Sequence, residues 1–155
     1  MSAPRTIDDR SPVLELEEAN ELLPLVRMLA SRIERRVALR RRLEDELVVL
    51  ELVSDTADSV GTDFQEYVDK KIRYHRLGGQ IDALVERLAR LGVVVRGRDA
   101  AFVDFTYLRD DGLALYCWRR GEDRIGHWHY LHETHAERRP LAPTPRRSRP
   151  AAVEP

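Results

Sequence analysis

The sequence predicts an α+β fold: a long antiparallel helical hairpin followed by a small three-stranded antiparallel β-meander. Three observations carry this. Apolar residues recur at spacings of three and four from Leu16 to Val53 and again from Phe64 to Leu91, which is the helical period. A small polar segment from Ser54 to Gly61 parts the two runs, a connection short enough to make antiparallel neighbours. After Gly92 the apolar period falls to two, and turn residues punctuate it at Asp110-Asp111-Gly112 and at Arg120-Gly121-Glu122-Asp123, the pattern of hairpin-linked strands.

Each element has its own signals. In the first helix Ala19, Leu22, Val26, Leu29, Ile33, Leu43, Leu47 and Leu50 form a seam of heptad type, the pattern by which one helix packs along another. Pro24 removes one intrahelical hydrogen bond, so a kink, or a short first helix ending just before it, is expected. The remainder, to Val53, would span roughly 45 Å at about 1.5 Å per residue. Thr62-Asp63-Phe64-Gln65 has the form of a capping box. It opens a second helix with a stripe of Phe64, Val68, Ile72, Ile81, Leu84, Leu88 and Leu91, which Gly92 ends.

Val93-Val94-Val95 is a β-branched run, Phe102-Val103-Asp104-Phe105 leads into the first hairpin turn, and Leu113 to Trp118 and Ile125 to Leu131 read as the following strands. Alternation places Leu113, Leu115, Cys117, Ile125, His127 and His129 on one face and Tyr116, Trp118, Trp128 and Tyr130 on the other. The aromatic face is expected to pack on the helices, because a meander of this size is marginal alone. The ordered domain is expected over residues 14–141, between a flexible leader (1–13) and a disordered, basic, proline-rich tail (142–155).

Composition narrows the function classes. Of 155 residues 43% are hydrophobic and 34% charged, the latter above the usual quarter, as suits helices with a narrow apolar stripe and wide solvated faces. A net charge of -1 gives the whole molecule no electrostatic preference for nucleic acid or anionic membrane. The single cysteine, Cys117, rules out an intramolecular disulfide and a Cys-rich zinc site and fits a reducing compartment. No long apolar run and no hydrophobic N-terminal stretch occurs, so a cytoplasmic protein without a membrane segment is expected.

Three places could carry chemistry. His127, His129, His132 and Cys117, with Glu122 nearby and His135 and Glu133 following, offer imidazole, thiolate and carboxylate groups suited to a transition metal or to haem. His127 and His129 share a strand face and could reach one ion, although their spacing matches no established site and a structural role for His129 competes. Cys117 alone reads better as a small buried hydrophobe than as a nucleophile, which would need a base and an oxyanion hole. In the helix pair, Arg36 and Arg40 interrupt the apolar seam. With the loop centred near Ala57, facing residues sum to about 115 if both helices rise equally, which sets Arg40 opposite His75 and Arg36 opposite Gly78-Gly79. Such a layer could bind an anion or fix register, or the arginines could extend to solvent. Finally, Arg35-Arg36, Arg40-Arg41-Arg42 and the tail arginines could touch phosphates, but Glu44, Asp45 and Glu46 follow within a turn and offset them.

The segment Glu17-Glu18-Ala19-Asn20-Glu21-Leu22-Leu23-Pro24 resembles the N-terminal signature of a small prokaryotic family known only as a domain of unknown function. The resemblance continues through Leu91-Gly92-Val93, Val103-Asp104-Phe105, Cys117-Trp118-Arg119-Arg120-Gly121-Glu122, Trp128-His129 and Arg138-Arg139-Pro140-Leu141. It implies one architecture over about residues 14–141. The chain departs from the family pattern in carrying Tyr130 and His132 where carboxylates are usual, Thr134 and Glu137 where glycines are usual, and Glu15 in place of a threonine cap.

Together these features predict a non-enzymatic binding or protein-interaction module, homodimeric through its helices. The wide spread of Leu23, Leu25, Val37, Leu39, Val48 and Val49 exceeds a single seam. The alternatives are a metal- or haem-binding protein centred on His129 and a nucleic-acid-associated protein acting through the basic cluster.

Overall fold

Two helices and then a five-stranded antiparallel sheet follow one another along the chain in the computed structural model, which describes residues 12–54, 62–97 and 99–142. Helix α1 spans Leu16–Ser54 and α2 spans Thr62–Arg90. The strands are β1 (Val93–Arg96), β2 (Phe102–Arg109), β3 (Gly112–Arg119), β4 (His127–Tyr130) and β5 (Arg139–Pro140), with a 3₁₀ turn η1 at His135–Glu137 between the last two. Strand order follows chain order. The expected meander forms the centre of the sheet as β2, β3 and β4, and β1 and β5 extend it at the two edges. The residues expected as a leader up to Ser11, the inter-helix loop, the Thr62 side-chain cap and the tail beyond Ala142 lie outside the described residues or side chains.

Pro24 does not end the first helix. α1 runs through it, because Leu23 and Val26 on either side are buried at 3% and 0% exposure and their packing offsets the lost hydrogen bond. At the N-terminus of α1 the Glu15 backbone N–H donates to Glu18 Oε2 at 2.8 Å, so half of a capping box persists without a threonine hydroxyl. Asn20 uses both ends of its amide: Nδ2 donates to the Leu16 carbonyl at 2.9 Å, and Oδ1 accepts from the Ile125 N–H at 3.0 Å. That pair ties the helix to the loop before β4.

The core lies between the inner half of the hairpin and one face of the sheet. Ala19, Leu23, Val26, Leu29, Ala30 and Ile33 of α1 and Leu88 of α2 pack with Val93, Val103, Phe105, Tyr107, Tyr116 and Trp118. Tyr107 and Tyr116 stack at 3.8 Å between ring centroids. The aromatic face therefore meets the helices as expected, with Trp118 at its centre and Trp128 half-buried at its margin. Ile125 is a correction. It precedes β4 rather than belonging to it and joins the helix-facing core, not the histidine face.

Leu23 is also covered by this core, and Leu25 and Val37 pack against it. The sheet, not a second chain, thus accounts for much of the apolar excess in the first half of α1. Beyond Ile33 the hairpin has its own seam, with Leu43, Leu47 and Leu77 buried. Among the described residues no helix is long and apolar enough to cross a membrane.

Candidate functional site

Strand pairing builds the site. The register sets Asp104 opposite Cys117 and Cys117 opposite His127, with Thr106, Leu115 and His129 forming the neighbouring row. All these residues share the sheet face turned away from the helices. Asp104, Thr106, Leu115, Cys117 and His129 are each buried to 1% exposure or less. The cover comes from the chain after β4, which sets His135 flat against Phe102, centroids 3.9 Å apart, and brings the Arg138 guanidinium 5.8 Å above the same ring.

Asp104 on β2, Cys117 on β3 and His129 on β4 converge, with one ligand-type atom from each lying within 4.8 Å of the other two. His129 Nδ1 sits 2.8 Å from the Tyr130 carbonyl, and Nε2 sits 3.2 Å from Asp104 Oδ1. A carbonyl only accepts, so Nδ1 carries a proton. Arg96 Nε donates to the other carboxylate oxygen of Asp104 at 2.9 Å. Burial alone would push the His129 imidazole down, but its hydrogen bonds to Asp104 and to the Tyr130 carbonyl turn it upward. Burial, with the Asp104 carboxylate beside it, pushes the Cys117 thiol up to about 12.

The remaining expected ligands stand elsewhere. Glu122 is held by Arg138, with two contacts of 2.8 and 3.2 Å, and accepts from the Arg119 N–H at 2.9 Å. Burial would raise its carboxyl, but these partners keep it below its ordinary value. His127 is half-buried, its Nδ1 is 3.8 Å from Glu122, and it does not join the cluster. His132 is exposed and stacks on Tyr130 at 5.7 Å. Glu133 pairs with Arg139 at 2.5 and 2.6 Å.

His129 itself is buried and hydrogen-bonded at both ring nitrogens. Asp104 was missed. It appears in the sequence as one carboxylate inside an apolar strand, between Val103 and Phe105, and that misplaced charge was the available signal.

The polar layer in the hairpin is displaced by one residue from the expectation. Arg40 lies over the Tyr74 ring at 4.2 Å, whereas His75 is exposed and meets only the edge of Tyr74. Arg36 Nε donates to Gln80 Oε1 at 3.0 Å. Gly78 faces Arg40, and a Cβ there would sit 3.5 Å from the guanidinium, an ordinary contact. The Arg40 Nε is buried there without a hydrogen-bond partner.

The profile of the family described as "Uncharacterized conserved protein (DUF2203)" matches residues 13–141. The chain belongs to the DUF2203 family. No curated protein and no solved structure matches it. In this DUF2203 member Tyr130, Thr134 and Glu137 each have structural partners. Tyr130 donates its hydroxyl to Asp111 at 2.9 Å. Thr134 and Glu137 form the reciprocal capping box of η1.

Proposed function

We propose that the protein is a non-enzymatic interaction module that self-associates through the outer half of its helical hairpin. The observation that carries this reading is the number of large apolar side chains exposed there: Val48 (50%), Val49 (58%) and Leu52 (66%) on α1, with Phe64 (70%) and Ile72 (53%) on α2. Leu43, Leu47 and Leu77 already fill the seam between the two helices, so these side chains face outward. Grouped apolar side chains on a projecting element are the mark of an interface. A symmetric pairing with a second copy is the simplest way to cover them.

A catalytic reading finds less support. Cys117, His129 and Asp104 have the composition of a nucleophile, base and orienting acid, but the thiol is buried and strongly protonated. The imidazole turns its two nitrogens to Asp104 and to a carbonyl rather than to sulfur. The basic cluster is also partly spent inside the hairpin, where Arg36 and Arg40 are engaged, and only Arg35, Arg41 and Arg42 of that group are exposed.

The test is a double substitution, Val49→Glu with Leu52→Glu, read by light scattering after gel filtration. Both positions are solvent-facing, so the variant should keep its melting temperature while its mass falls to that of one chain. Equal masses for the two proteins would remove the outer hairpin as the interface.

A further inference from the structure

We infer that Asp104, Cys117 and His129 form a mononuclear site for a divalent transition ion of the zinc class, closed over by the chain between β4 and β5. The inference is independent of self-association and rests on four observations.

The first is ligand chemistry. One carboxylate, one sulfur and one imidazole, brought by three adjacent strands within 4.8 Å of one another, are a donor set for a borderline ion such as Zn²⁺. The second is the tautomer. With Nδ1 donating to the Tyr130 carbonyl, Nε2 faces Asp104 Oδ1 at 3.2 Å. Between an imidazole nitrogen and a carboxylate oxygen at that separation sits either a shared proton or a bound ion. Two ligands bound tetrahedrally at about 2.0–2.1 Å stand about 3.3 Å apart, so the observed spacing needs little adjustment to take an ion.

The third observation is the outer layer. A ligating histidine characteristically gives its second N–H to a carbonyl, and a ligating carboxylate is itself hydrogen-bonded. Here the Tyr130 carbonyl serves His129, and Arg96 holds the far oxygen of Asp104. The fourth is unsatisfied polarity nearby. On the same face and in the same two cross-strand rows, Thr106 Oγ1 and His127 Nδ1 are buried without a hydrogen-bond partner. Buried polar atoms are rarely left so.

The rival arrangement is a proton in place of the ion, giving an imidazolium between Asp104 and the Tyr130 carbonyl, with Arg96 on the far oxygen of Asp104. The two differ in what they do with sulfur. An ion requires the Cys117 thiolate and therefore displaces the thiol proton to solvent on binding, whereas the protonated network leaves the thiol intact.

The experiment is a Co²⁺ titration of the full chain, purified and stripped with chelator, followed by absorbance and by proton release in weak buffer. The expected result is saturation at one equivalent, a sulfur-to-cobalt charge-transfer band, intense visible bands of tetrahedral type, at least one proton released per ion, and displacement by Zn²⁺. Cys117→Ala should abolish the charge-transfer band, and Asp104→Asn, of the same shape, should weaken binding by about 100-fold or more; far-ultraviolet circular dichroism checks that each remains folded. A variant that does not fold leaves the wild-type spectrum to decide. No Co²⁺ bound, or Co²⁺ bound without a sulfur band, would overturn the site, and the second outcome would assign the ion to surface histidines.

Discussion

At the scale of single residues, burial reorders what the two sheet faces are worth. Trp118 is 2% exposed and donates its indole N–H to the Glu122 carbonyl at 2.8 Å. Trp118→Ala should therefore cost about 3–5 kcal/mol. Trp128 is half-buried beneath Arg109 and Arg139, 4.0 and 5.1 Å from its ring, and its truncation should cost less. His129→Ala removes the imidazole partner from buried Asp104, leaving it Arg96 and the Cys117 thiol, and should cost about 3 kcal/mol, well above the effect of a surface substitution. Urea unfolding of the three variants checks the order, and a near-neutral His129→Ala would mean that Asp104 needs no partner there. Cys117 and His129 could be placed on one face from strand alternation alone. Asp104 could not be joined to them, because that needs the cross-strand register, which local pattern does not encode. Likewise, the sum rule for facing helical residues located the Arg40 layer but missed by one position, and one position on a helix is enough to exchange Tyr74 for His75.

At the scale of elements, two joints hold the sheet in place. Gly92 turns α2 into β1 with a φ of +78°, and a Cβ there would lie 2.5 Å from the Pro12 carbonyl oxygen. Both the backbone and the close approach require glycine, so Gly92→Ala should lower stability by about 2 kcal/mol, measurable as a shift in the urea midpoint. An unchanged midpoint would mean that the segment at Pro12 moves freely. The second joint is the chain after β4, fastened by Glu133. The Arg139 guanidinium, with the Tyr130 N–H, pulls that carboxyl down to about 2 from an ordinary 4.5. A depressed carboxyl stabilises the fold fully above its ordinary value and loses that contribution as pH falls through the folded one. The segment should therefore loosen between about pH 4.5 and 2, seen as shifts of the Tyr130 and Thr134 amide resonances, and Arg139→Gln should move that window upward. Resonances that ignore this range would show that other contacts hold the segment. The helices were legible from their period and the central strands from alternation and turn residues. The short β5 was not, because two residues carry no period, and of the two outcomes expected at Pro24 the end of the helix does not occur, the packing of Leu23 and Val26 outweighing its local cost.

At the scale of the whole molecule, the fold divides its labour. The inner hairpin and the sheet build one core, and the sheet's other face buries a polar cluster. The outer hairpin carries exposed apolar side chains beyond that core. The sequence reading of excess apolar surface was too broad, since Leu23, Leu25 and Val37 are used internally, but it correctly included Val48 and Val49. The central claim is that those outer side chains pair two copies of the chain. Sedimentation equilibrium of the full chain from about one to about a hundred micromolar, a range that spans ordinary dissociation constants, tests it most directly. The mass should rise with concentration and level at twice the 18.0 kDa chain. A single species of 18.0 kDa throughout that range would contradict it.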